Sequence, residues 1–211
     1  RLYAENEIAD LEAIYTAITR WIVSISLLLG LGVVVYRLEI LSLFGSEFTA
    51  GTTVLTLFVC SQLFNCATGP SDYLLMMTDH QYVVMANEWV FGLLNIVLTV
   101  LFIPLFGIVG AALASAGVLA LRNLVKVLEV WHFEGLTPYS RAFYKPLVAG
   151  GVAALVMVAS TALFSPLVAV GVGLTTATLT YVGVLALLGL ERIDREVYHL
   201  LTDTESTSAR T

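Results

Sequence analysis

The chain has 211 residues, of which 58% are hydrophobic and only 12% charged, with a net charge of −6 and a mean hydropathy of +0.90. A soluble globule carries about 25% charged residues, so water is not the main solvent of this protein, and its acidic balance argues against nucleic acid as a partner. Six long apolar stretches leave almost no room for a soluble domain.

In chain order, residues 4–20 have the pattern of an amphipathic helix. Ile8, Leu11, Tyr15, Ile18 and Ile22 recur at spacings of three and four, and Glu5, Glu7, Asp10 and Glu12 supply the polar side. Residues 1–20 therefore read as a lead-in helix that runs into the first span, either as a solvated segment or as a coupling element at the membrane surface. The apolar stretches follow at 21–44, 50–68, 82–104, 107–127, 146–164 and 167–190. Each comes close to the roughly 20 residues that cross a hydrocarbon core of about 30 Å. The fold class is accordingly an all-α integral membrane protein, with a bundle of about six transmembrane helices over 21–190.

Arg37 and Glu39 read as interface residues, where an arginine can snorkel to water. Cys60 and Cys66 are six residues apart, about 240° on a helix, and so face apart as ordinary thiols. Gly69-Pro70-Ser71-Asp72 breaks the second stretch, Tyr73 to Met77 forms a short apolar segment, and Thr78 to Gln81 is a polar turn in which His80 reads as a solvated residue. The third stretch ends at Ile103-Pro104, and Leu105-Phe106-Gly107 is a tight link that makes the third and fourth stretches antiparallel neighbours. The fourth is rich in small residues (Gly110, Ala111, Ala114, Ser115, Gly117) of the kind that let membrane helices approach closely. Residues 128–145 are the longest polar connection. Pro166 marks a short turn, and 191–211 form a polar tail that is expected to be disordered from Thr202.

Basic residues set the expected sidedness. With the N-terminal segment in the cytoplasm, nine of the ten Lys and Arg residues fall at or near that side and only Arg37 near the other. Both ends of this segment are thus expected to be cytoplasmic, in the cell (cytoplasmic) membrane.

Ionisable residues at membrane depth are costly and tend to face protein or a water-filled cavity. Glu88 lies about six residues into the third stretch and Arg122 about five before the end of the fourth, so in an antiparallel pair they reach similar depth. They can form an ion pair, with Asn87 and Asn123 beside them. That pair reads either as a structural clasp or as part of a cytoplasm-facing cavity. Asn95, with Thr99 one turn on, needs a partner across helices, and Asn65 and Gln62 share a face. Asp72 and Tyr73 are placed to line an inner vestibule. No histidine or cysteine pair has metal spacing, no cofactor motif is present, and no phosphate loop or nucleophile motif marks an enzyme.

Three segments carry a resemblance. Leu41-Ser42-Leu43-Phe44-Gly45-Ser46-Glu47-Phe48 resembles a junction motif of polysaccharide flippases. The run from Asn95 through Ile103-Pro104-Leu105-Phe106-Gly107 to Ala112, with Leu74 to Thr78 before it, is similar to that family's most recognisable stretch. The family is the oligosaccharide or polysaccharide (Wzx-like) flippase group of the multidrug/oligosaccharidyl-lipid/polysaccharide exporter superfamily, and the chain resembles the last six helices of a fourteen-helix member. Where many members have Gly, a basic residue and a second Asn, this chain has Asp79, His80 and Thr99. The resemblance implies transport of a lipid-linked sugar across the membrane by two helical lobes that alternate access around a hydrated cavity. The partners would be membrane lipids and an N-terminal helical lobe that this segment lacks. It further implies that Glu88, Asn95 and Arg122, with Asn65, face that lobe. The alternatives are a cation-coupled small-molecule exporter of the same superfamily, which wants a carboxylate deep in the bundle, or a non-transporting scaffold subunit, whose polar residues pair among themselves. An intramembrane enzyme would need acidic residues such as Asp72 and Asp79 to converge.

Overall fold

A computed structural model describes the backbone of residues 8–189 and the side chains of 11–189. The acidic start of the lead-in and the tail at 191–211 lie outside the described residues. Every regular element among those described is helical: α1 (Ile8–Val35), α2 (Arg37–Ser42), α3 (Thr52–Ala67), α4 (Ser71–Met77), α5 (Gln81–Phe106), α6 (Ile108–Glu134), α7 (Tyr144–Leu163) and α8 (Pro166–Leu187), with 3₁₀ turns at Ser46–Gly51 and Arg141–Phe143. Six segments are long and apolar enough to cross a membrane, which is the architecture of a multi-pass membrane protein.

Three boundaries differ from the hydropathy reading. The lead-in runs into the first span as one helix, as expected, but that helix ends at Val35 rather than at 44. Tyr36 (φ −96°, ψ 24°) interrupts the backbone before α2, and the sequence hides this because Leu38, Ile40 and Leu41 continue the apolar run. Arg37 donates from Nη1 to the Val34 carbonyl at 2.7 Å, so it caps carbonyls left free at the end of α1. Helix α5 continues through Pro104 to Phe106, its last turn closed by the Gly107 amide on the Ile103 carbonyl at 2.8 Å. Helix α6 runs seven residues beyond 127 and stops at Gly135, whose φ of +70° is the left-handed conformation that terminates helices. Hydropathy falls after Val127, but the backbone hydrogen bonding does not.

The expected break after α3 is present and has a steric cause. Gly69 takes φ +62°, and a Cβ there would lie 2.0 Å from the Thr19 hydroxyl oxygen of α1. A second tight turn follows at Asp79, a non-glycine residue at φ +63°. Glycine adopts this conformation without steric cost, and aspartate is one of the few other residues that enters it.

The spans pack as a row in the order α5, α6, α3, α1, α7, α8, with α4 lying against α5 and α6 at one end. Antiparallel packing of α5 on α6 follows from the tight link at Gly107, as the sequence suggested. A first core gathers Tyr15 of α1, Leu74 and Leu75 of α4, Val130 of α6 and Leu136. A second joins Tyr36 to Ala149, Ala153 and Met157 of α7 and Ala169, Ala177 and Tyr181 of α8. On α8, Ala169, Gly173, Ala177 and Tyr181 stand at every fourth position and are all buried. This small-residue seam brings α7 and α8 together, although the sequence reading assigned that role to the fourth span alone.

Tyr36 seals the seam. Its hydroxyl lies 2.7 Å from the Ser160 hydroxyl, and a Cβ on Gly173 would fall 1.7 Å from the same Tyr36 oxygen. Tyr36 is fully buried and has no room to swing away. Gly173→Ala is therefore expected to cost about 1–3 kcal/mol through overpacking, read as a lower unfolding temperature in detergent. That Cβ would also lie 2.3 Å from the Ser160 hydroxyl oxygen, so adding Tyr36→Phe together with Ser160→Ala removes both clashing oxygens and should recover part of the loss; no recovery would place the clash elsewhere.

Candidate functional site

The polar residues of α6 form the site. Arg122, Lys126 and Glu129 are spaced i, i+4, i+7, which puts them on one face of a helix. Each meets a partner from α4 or α5. Arg122 donates from Nη1 to both carboxylate oxygens of Glu88 at 2.9 Å. Lys126 donates to Oδ2 of Asp72. Asn87 donates from its side-chain nitrogen to Glu129 at 2.7 Å. At the end of the helix, the Glu134 carboxylate lies 3.3 Å from Nδ1 of His80.

The Glu88–Arg122 pair suggested by the sequence is present, and it lines a cavity of about 380 Å³ between α5 and α6. Phe91, Asn95, Ser115 and Leu119 line it as well. The side chains of Arg122 and Glu88 are 25% and 52% exposed, so the pair stands at the cavity wall instead of inside a closed core. Nε of Arg122 is buried and has no hydrogen-bond partner among the described residues. Asn95 points its carbonyl oxygen at the Thr99 hydroxyl at 3.2 Å. The expected partner across helices is thus replaced by one a turn further along α5.

The other candidates fall elsewhere. Asn65 lines a separate pocket of about 270 Å³ at the α3–α4 break, with Tyr73, Asp72 and Lys126. Gln62 does not share that pocket; it lines a groove between α3 and α6. Asn87 is engaged by Glu129. Asn123 is completely buried, and neither atom of its amide has a hydrogen-bond partner among the described residues. It is therefore absent from the Glu88–Arg122 cavity. His80 lies in the loop before α5 and is partly exposed, as expected, but it is engaged there. Its ring stacks on Phe133 at 4.3 Å between centroids, and Nδ1 also lies 3.2 Å from the Thr78 hydroxyl.

Lys126 is the residue that sequence reasoning underused, as no more than a marker of sidedness. It is 4% exposed, and with Asp72 it ties α4 to α6. Nearby, the Tyr15 hydroxyl lies 2.8 Å from that of Ser71 and donates to the Thr68 carbonyl at 3.2 Å, which ties α1 to the same break. The four- and three-residue steps from Arg122 to Lys126 to Glu129 were the available signal. Together these contacts hold α5 and α6 at a spacing that leaves a hydrated-size opening lined by one cation, one carboxylate, one amide and one hydroxyl. Such a set can hydrogen-bond a polyhydroxylated group.

No family model matches the chain, no characterised protein matches its sequence, and no solved structure matches its fold.

Proposed function

We propose that this chain is one lobe of a flippase that moves lipid-linked oligosaccharide or polysaccharide precursors across a cell membrane. The observation that carries this reading is the open cavity walled by Glu88, Asn95 and Arg122. Charged groups exposed on the flank of a membrane helix are costly against hydrocarbon, so this flank wants water, a polar substrate or a second lobe. The flippase-like segments at 41–48 and 95–112 support the same reading. In it, the end bearing Tyr15, Asp72 and Lys126 faces the cytoplasm, in line with the excess of basic residues there.

A second reading, a non-transporting scaffold, is favoured by the pairing of Glu88 with Arg122, Asp72 with Lys126 and Asn87 with Glu129. The cation-coupled exporter draws less support, because Arg122 occupies both oxygens of the Glu88 carboxylate.

Glu88→Gln and Arg122→Ala, each in the full-length protein, separate the readings. Losing a charged hydrogen bond to substrate is worth about 1.5–3 kcal/mol, or about 10–100-fold in rate, whereas an exposed pair contributes about 0–1 kcal/mol to stability. Transfer of a lipid-linked oligosaccharide in proteoliposomes is expected to fall by about tenfold or more, with the amount of protein in the membrane unchanged. Parallel loss of protein and transfer would favour the scaffold. An unaltered parent protein that transfers no lipid-linked sugar would remove the flippase reading.

A further inference from the structure

Two depressions of opposite character meet on α6. The polar cavity at Glu88 and Arg122 adjoins a groove of about 340 Å³ between α3 and α6, and Ser115 and Leu119 line both. The groove is walled mainly by Val54, Phe58, Ile108, Ala112 and Ala116, with Ser61 and Gln62 on the α3 side. From Ile108 to Leu119 it follows α6 for about 16 Å at 1.5 Å per residue, starting beside the α5–α6 turn and ending at the polar cavity.

Neither half suits an occupant of one character. Hydrocarbon gains nothing against the exposed charges of Glu88 and Arg122, and a sugar gains nothing along Val54, Phe58 and Ile108. A molecule with a polar head and an apolar chain matches both. The lining of the polar half favours a sugar over a phospholipid head group, because beside the Glu88–Arg122 pair it offers the Asn95 amide and the Ser115 hydroxyl, uncharged groups that hydrogen-bond hydroxyls.

We propose that the α3–α6 groove holds the hydrocarbon chain of the same lipid-linked sugar whose head group enters the polar cavity. This assignment rests on the flippase reading and deepens it by giving the lipid its own place on the lobe.

The test is photo-crosslinking of the full-length protein in proteoliposomes of phosphatidylethanolamine and phosphatidylglycerol. The probe is a polyprenyl-diphosphate oligosaccharide with a diazirine in its chain, and flipping is measured on the same preparation. Label is expected on 54–62 and 108–119, displaced by unlabelled lipid-linked sugar and not by added phospholipid. Ala112→Trp fills the groove. It should cut that label by about tenfold and raise the half-saturating concentration of the long-chain substrate, while leaving a short-chain analogue unaffected. Label displaced equally by phospholipid would mark the groove as a bulk-lipid contact and overturn the proposal. Label found elsewhere in a protein that still flips would overturn the groove and leave the flippase reading standing. Specific groove label without flipping would support the groove and remove the flippase.

Discussion

Lys126→Met, with Asp72 left in place, is expected to destabilise the protein by about 2 kcal/mol, below the range for a fully buried ion pair broken from one side, because the Asp72 side chain is 35% exposed and its stranded charge is partly solvated. Lys126 is almost wholly buried, and Oδ1 of Asp72 is buried without a hydrogen-bond partner, so the lysine is the only described group that answers this carboxylate. Its removal also leaves Asp72 and Glu129 acting on each other without the cation that attracts both. Replacing both members, as Asp72→Asn with Lys126→Met, should recover most of the loss, because the cost lies in the stranded charge more than in the missing bond. Equilibrium unfolding in detergent, run as a double-mutant cycle, checks this. A single-variant loss under about 1 kcal/mol would class the pair with solvated surface bridges and remove it as the tie between α4 and α6.

Gly110→Val is the second large effect, at about 3 kcal/mol from overpacking. A Cβ at residue 110 would stand 2.2 Å from the Phe102 carbonyl oxygen and 2.6 Å from its carbon. Both are backbone atoms of α5, so no side-chain rotation relieves the contact and the two helices must separate. Gly117→Val on the same helix is the control. A Cβ there meets nothing within 4 Å, and its effect should stay within about 0.5 kcal/mol. If both glycines behave alike, the close α5–α6 approach is not what holds this hairpin. Because α5 and α6 also wall the polar cavity, the Gly110 variant should lose transport together with stability.

These two residues show what was legible in the sequence. Six membrane-length segments, the antiparallel α5–α6 pair and the break at Gly69-Pro70 could all be read, because each rests on local composition or on a backbone rule. The pairing of Glu88 with Arg122 could also be read, because two depths counted from one tight turn fix a register. Helix ends were harder. At Tyr36 the apolar run continues across a break, and beyond Val127 polar side chains continue on an unbroken helix. Partners across the bundle were hardest. Nothing local says that His80 meets Glu134, that Asn65 and Gln62 line different depressions, or that Asn123 is buried, since those facts depend on which faces of α3, α4 and α6 come together. Asn95 failed for a different reason: its own helix offered Thr99 one turn away, and the shorter reach won.

The row of helices has a consequence for how the protein is made. Helix α1 has α3 against one flank and α7 against the other, yet it precedes both in the chain. Of these helices it leaves the ribosome first and must wait in the bilayer with both flanks bare. The α3–α5–α6 side can dock as soon as it emerges. The α7–α8 hairpin arrives last, and Tyr36 has no Ser160 to meet until then. Assembly thus closes on the side of α1 that was exposed longest, and a chaperone or translocon component that shields a waiting helix would find its client at that flank.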